Sequence, residues 1–213
     1  MSKIYASSVL VVAAEEIGYL EKATNSQLDD KTANPGAGNW TKYARDLWAA
    51  DPHFYQGPKN GYDWCACFVD WCLYTAAGKD AQAAQKALCY TGPYGAGCKS
   101  SVTYYKEAGR FHARSGYIPK PGDQIFFGTS ASTVHHTGLV ESVTAEKITT
   151  IEGNSGNAVK RRVYAIDSDQ IYGYGKPKYD GANPPAPADP PATDKEIADA
   201  VRALFALLKR GGG

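Results

Sequence analysis

The apolar residues of this chain change their spacing once, near Pro121, and that change limits the folds open to it. Before it they recur at the three- and four-residue intervals of helices. After it they fall in short runs broken by Gly, Ser and Asn. The spacing predicts helices over residues 9–22, 40–49, 65–77 and 100–108, and strands over 123–127, 138–143, 147–152, 159–166 and 170–174. Loop signals such as Asn34-Pro35-Gly36 separate the helices. Helices first and consecutive strands after, without βαβ alternation, argue an α+β fold with N-terminal helices packed on an antiparallel sheet. At 213 residues and 43% hydrophobic, the chain has material for one sizeable core.

A composition break follows. Residues 180–193 read DGANPPAPADPPAT, with no large apolar residue, and predict a stiff, extended linker. Thr193-Asp194-Lys195-Glu196 then forms a capping-box pattern, and Ile197, Ala200, Val201, Leu204, Phe205 and Leu208 line one face of a short helix. The expected organisation is a domain over residues 1–179, a linker over 180–193 and an amphipathic helix over 194–213. Such a helix is marginal alone in water, so it is expected to dock. Its own domain is one acceptor; self-association or a partner chain through Ile197 to Leu208 is the other.

At the other end, residues 7–14 (SSVLVVAA) mimic the apolar core of a signal peptide. Apolar spacing continues past Glu15-Glu16, however, which an amphipathic first helix explains more economically. The reading is a protein made in the cytoplasm without Sec export. No run approaches the roughly 18 to 20 apolar residues of a membrane span, so no membrane partner is expected. The 23 Lys+Arg against 22 Asp+Glu leave no basic excess for nucleic acid.

The five cysteines, Cys65, Cys67, Cys72, Cys89 and Cys98, cannot all pair within one chain. They lack the paired Cys-x2-Cys knuckles of a zinc site, and neither metal nor cofactor is expected. A phosphate loop fails narrowly, because Cys98 stands between Gly97 and Lys99-Ser100 and no strand precedes them. Cys65 stands apart. With Asp63 as N-cap it falls in the first turn of a helix, where the dipole favours a thiolate and backbone amides can stabilise an oxyanion. Cys72 suits core packing and Cys67 points to another face; a buried core thiol is the alternative reading for all three. Cys89 and Cys98 bracket a Gly-rich stretch and are the favoured disulfide, if one forms.

A nucleophilic thiol needs a base, and there are four histidines. His135 and His136 precede one strand, and the next ends Glu152-Gly153-Asn154. A three-residue loop over 144–146 would set Val143 opposite Lys147 and His136 opposite Asn154, with Glu152 one diagonal step from His136 on the same face. A two- or four-residue loop would slip the register and make His135 the candidate. An exposed hairpin end with incidental polar residues is the plainer alternative. Trp40, Trp48, Trp71 and Tyr74 fall at helical spacing and suit a core. Tyr90, Tyr94, Tyr104 and Tyr105 surround the Gly-rich stretch and suit either a core or a substrate groove. Tyr94, Tyr104 and Trp64 are the candidate substrate contacts.

Trp64-Cys65-Ala66-Cys67-Phe68-Val69-Asp70-Trp71 resembles the W-C-A-x-F-V-x-W signature of the CHAP domain, the cysteine, histidine-dependent amidohydrolase/peptidase family. Pro121-Gly122-Asp123, His136-Thr137-Gly138-Leu139-Val140 and Glu152-Gly153-Asn154 are similar to its P-G-D, H-x-G-x-V and E-G-N motifs, in the same order. The resemblance covers residues 17 to about 179. It implies a papain-like fold and hydrolysis of amide bonds in bacterial peptidoglycan, as an N-acetylmuramoyl-L-alanine amidase or a peptide endopeptidase. By position it implies Cys65 as nucleophile, His136 as general base, Glu152 as its orienting group and Asn154 as an assistant. It implies a lysin of phage endolysin type that meets the wall after release. Some relatives bind calcium upstream of the nucleophile, but residues 57–63 (GPKNGYD) carry one carboxylate, so no such site is expected. NlpC/P60 peptidases usually place a second His where Glu152 or Asn154 stands here. The rivals from other classes are a wall-binding or toxin-like module that kept the fold and lost catalysis, and a structural protein assembling through its C-terminal helix.

Overall fold

The computed structural model describes residues 3–92 and 95–181, all within the first of two units, Met1–Asn183 and Pro184–Gly213. Tyr94, most of the expected linker and the C-terminal helix lie outside the described residues. The first half forms helices α1 (Ala6–Glu15), α2 (Lys42–Ala50), α3 (Cys65–Ala76), α4 (Ala81–Ala87) and α5 (Cys98–Glu107). The second half forms strands β1 (Phe111–Ala113), β2 (Gln124–Phe127), β3 (His136–Val143), β4 (Lys147–Glu152), β5 (Lys160–Ala165) and β6 (Ile171–Gly175). These build one antiparallel sheet in the order β1-β6-β2-β3-β4-β5. The fold is α+β, as the change of spacing requires.

Helix α3 is the pivot. Every residue from Cys65 to Tyr74 is buried, so the helix must be enclosed on all sides. Its core cluster draws Val9 and Ala13 from α1, Tyr43 and Leu47 from α2, Ala84 and Ala87 from α4, and Leu139 and Ile151 from the sheet. The segment that mimics a leader is thus part of the core. The opposite sheet face buries Ile125, Phe127, Val140, Ile148, Ile171 and Tyr174 together. Helix α5 covers Phe126 with Val102, Tyr104 and Tyr105.

Several local expectations change. The first helix stops at Glu15 rather than running to residue 22, because Leu20 and Lys22 pair as isolated bridges with Ala158, Pro35 and Trp40. Helix α4 has too little apolar periodicity to announce itself, yet Asp80 caps it by accepting from the Ala83 amide at 3.0 Å. Trp48 is 37% exposed, whereas Trp71 and Tyr74 are core as expected. Asp180 belongs to the domain rather than the linker: its carboxylate accepts from the Ile4 amide at 2.8 Å and its own amide donates to Ile4 O at 2.9 Å.

The β3–β4 hairpin reaches the expected register by an unexpected route. Thr144 N–H donates to Lys147 O at 2.9 Å, closing a two-residue turn, and Val143 pairs with Ile148. Continued evenly, that register would put His136 and Glu152 on opposite faces. A bulge at Glu141 adds one residue to β3, so that Val140 pairs with Thr150 and Leu139 with Ile151. His136, Gly138 and Glu152 thereby share a face.

The start of α3 also meets the end of β4 closely. A Cβ on Gly153 would lie 2.4 Å from Phe68 Cβ and 2.9 Å from the Trp64 ring, so only glycine fits between them. Gly153→Ala should therefore cost about 1–3 kcal/mol of stability or more through overpacking. Urea unfolding checks this, and an unchanged midpoint would mean that the helix can move away freely.

Candidate active site

Two helix starts and two strand ends converge. Cys65 is the first residue of α3, Cys98 the first of α5, His136 the first of β3 and Glu152 the last of β4. His136 Nε2 lies 2.9 Å from Glu152 Oε2, with the imidazole 21% exposed and the carboxylate 1% exposed. Oε1 of Glu152 accepts from Thr150 Oγ1 at 2.6 Å and from the Tyr164 hydroxyl at 2.9 Å. Burial alone would raise this carboxyl, but the bonds from His136, Thr150 and Tyr164 outweigh it and hold Glu152 below the usual glutamate range. It is a buried anion aimed at one ring nitrogen.

Gly138 makes that reach possible. A Cβ there would stand 2.6 Å from Glu152 Cγ, so the bare backbone leaves the path open from β4 to His136. Phe127, paired with His136 across β2–β3, stacks on the imidazole at 5.8 Å and packs at a tilt against Tyr164 at 4.7 Å. Thr150 and Tyr164 share the face of Glu152 through the β4–β5 register, in which Thr150 pairs with Arg162 and Ile148 with Tyr164. These supports were missed from sequence, although the alternation along β5 puts Arg162 and Tyr164 on one face.

Cys65 lines a cavity of about 630 Å³ together with His136, Glu152, Asn154, Asp63, Arg162 and Tyr164. The backbone amides of Ala66 and Thr137 favour its charged form, whereas the Cys98 thiol disfavours it. That thiol's influence was not anticipated. The helix start alone would lower the Cys65 pKa; instead the influence of the Cys98 thiol, followed by burial, pushes it well above the ordinary thiol range. Cys98 moves the other way, to about 7, chiefly through the influence of Cys65, against burial and with help from the Lys99 amide and His136.

Asp63 does not cap α3. Trp64 occupies the N-cap position without a side-chain bond, and Asp63 Oδ1 accepts from Asn154 Nδ2 at 3.3 Å. Asn154, at φ +55, therefore spends its amide on Asp63 while lining the cavity. Of the expected substrate contacts, Trp64 is wholly buried and donates its indole N–H to Glu21 at 2.9 Å, so it is a core residue. Tyr104 is 3% exposed and packs on Tyr90 at 4.6 Å, again within the core. His135 is exposed at the cavity rim, and His112 stacks on Tyr117 at 4.2 Å. All five cysteines are free thiols; Cys67 and Cys72 are buried in the core around α3. Among the described residues, no three His, Cys, Asp or Glu side chains converge as a metal site would require.

A thiol at the start of a buried helix, facing an imidazole and carboxylate on an antiparallel sheet, defines a papain-like α+β protein. Residues 57–154 match the family model of the CHAP domain. The match ends at Asn154, so Arg162 and Tyr164 lie beyond it. Among solved structures the chain is similar to the crystal structure of Ly7917, with a TM-score of 0.46 and 15% identity over 81% of this chain and 62% of that one. It is also similar to Ly7917 with the hydrolyzing product of MDP, with a TM-score of 0.44 and 14% identity over 81% and 63% of the two chains. The chain thus spans less than two thirds of that protein's length. No curated protein matches it.

The lowered Glu152 pKa fixes the sign of a pH effect. The carboxylate contributes stability above its unfolded value of 4.5 and loses it as the pH falls through the lower folded value. The stability gap between the protein and its Glu152→Gln variant should hold steady above that value and shrink below it. Urea titrations across the acid range measure the gap, and a gap that ignored pH would remove the buried anion.

Proposed function

We propose that the chain is a cell-wall lytic cysteine hydrolase that cleaves amide bonds in bacterial peptidoglycan. Cys65 is the nucleophile, His136 the general base, and Glu152 the group that orients and charges the imidazole. One observation supports this above the rest: the His136–Glu152 pair and Cys65 line one cavity, in a chain that matches the CHAP domain model. With Nε2 held by Glu152, Nδ1 of His136 is left for exchange of a proton with sulfur. The Cys65 sulfur attacks the amide carbonyl carbon, and His136 passes the thiol proton to the departing amine. A water activated by His136 then attacks the thioester, releasing the carboxylic acid and restoring the thiol.

The cavity is lined mainly by polar groups, including Asp63, Asn154, Arg162 and Gln170, which suits a hydrated peptide more than an apolar ligand. Backbone amides of the first α3 turn, which lacks a side-chain cap, stand ready to stabilise the tetrahedral oxyanion. Asn154 acts by fixing the cavity wall through Asp63. The setting that fits this chemistry is a phage or prophage lysin acting at the bacterial wall.

Cys65→Ala and His136→Ala should each lower wall clearing by at least about 100-fold while the protein still folds. Turbidity of purified walls measures the loss, and equal clearing by either variant would overturn the assignment. Mass spectrometry of the released fragments distinguishes the bond. New amino termini on the first stem-peptide alanine mark an amidase, and termini within the peptide or cross-bridge mark an endopeptidase.

A further inference from the structure

Four of the five described arginines close on a carboxylate or a carbonyl of the protein itself. Arg45 is paired with Asp29 and Asp46, and Arg161 with Glu141. Arg110 donates to the carbonyls of Lys176 and Pro177, and Arg114 to that of Asp167. Arg162 differs. Its Nε donates to Ser155 Oγ at 2.9 Å, and among the described residues neither of its Nη atoms has a partner. This side chain stands at the wall of the cavity that Cys65, His136 and Glu152 line. β5 pairs Arg162 with Thr150, which puts it on the face that Thr150 and Glu152 share. Ser155, itself 8% exposed, then holds the guanidinium by its Nε edge. The cavity's own carboxylates are engaged elsewhere, Glu152 with His136, Thr150 and Tyr164, and Asp63 with Asn154. No anion of the described residues neutralises Arg162, and both it and Ser155 lie beyond the stretch that matches the family model.

We propose that Arg162 is a specificity-determining residue that receives an ionised carboxylate of the substrate peptide in this cavity. The inference rests on the hydrolase reading, because the ligand is the peptide which that reading brings to Cys65. A guanidinium is a rigid, planar fork of donors that stays charged at any working pH. With the Nε edge taken by Ser155, the edge formed by Nη1 and Nη2 remains. Its two parallel N–H groups match the two oxygens of a carboxylate, which gives a bidentate, charge-assisted contact. A carboxamide in the same place offers one oxygen and turns its own NH2 donors towards the fork. It forfeits the charge and one of the two bonds. Carboxyl groups are where the peptides of peptidoglycan carry negative charge, so Arg162 makes clearing depend on whether those groups are ionised or amidated.

The test uses the full chain and one preparation of purified peptidoglycan, part of which has its carboxyls converted to carboxamides by carbodiimide and ammonia. Initial clearing rates are read as a ratio, free over amidated. The unmutated chain should clear the free material at least about tenfold faster, the scale of a bidentate, charge-assisted contact. In Arg162→Gln the ratio should fall to about one, through loss on the free material alone. Arg161→Gln is the control. It removes the same charge from the neighbouring residue of β5, which pairs with Glu141, and should keep the ratio of the unmutated chain. Because the ratio is internal to each variant, a lower yield of folded protein does not move it. Equal rates on both materials by the unmutated chain, a preference that survives Arg162→Gln, or the same fall in Arg161→Gln overturns the proposal and leaves the hydrolase reading intact. Clearing of neither material by the unmutated chain overturns both.

Discussion

The buried carboxylate of Glu152 is the constraint around which the rest of this structure is arranged. An anion at 1% exposure is costly unless its oxygens are fully bonded, and here His136, Thr150 and Tyr164 share that task. Each partner comes from a different place in the sequence, so the arrangement fixes three strands at once. β3 must start with His136, β5 must put Tyr164 on the same face, and Gly138 must stay bare to let the side chain cross. The site is rigid because its charge has no other way to be satisfied.

Helix α3 makes a complementary demand. A helix buried on every side cannot be shifted to suit the chemistry, so the sheet has to come to it. Gly153 permits that approach, and the Thr137 amide favours the charged form of Cys65. Trp64 contributes by fixing the helix start from beneath, through its indole bond to Glu21, rather than by touching a ligand. Aromatic residues beside Cys65 are easily taken for substrate contacts; here burial assigns Trp64 and Tyr104 to support.

Much of this was legible in the sequence. The order of helical and alternating spacing determined the class, because periodicity reports which face is buried. Cys65 stood out from its expected place at a helix start, whereas the hairpin register left His135 and His136 open and only the motif resemblance chose His136 with Glu152; the bulge at Glu141 that gives His136 and Glu152 one face was not legible. The rest was hidden for identifiable reasons. Helix α4 is mostly alanine and glutamine, and β1 has three residues, so neither carries a periodic signal. Asp63 has the residue type of an N-cap but bonds to Asn154, a choice made by tertiary contact. Cys98 lies 33 positions from Cys65, counted as 98 minus 65, and only the packing of α5 beside α3 reveals the influence of one thiol on the other.

The compensation inside the β3–β4 hairpin has an evolutionary corollary. Between His136 and Glu152 the chain obeys a parity rule, because the short turn and the bulge at Glu141 each reverse the facing of side chains and together cancel. A lineage can lengthen or shorten this hairpin only by changes that preserve the parity. Loss of one residue in the turn must be matched by loss or gain of one in the bulge. Related chains are thus free to vary in hairpin length while the separation between histidine and glutamate keeps the same phase.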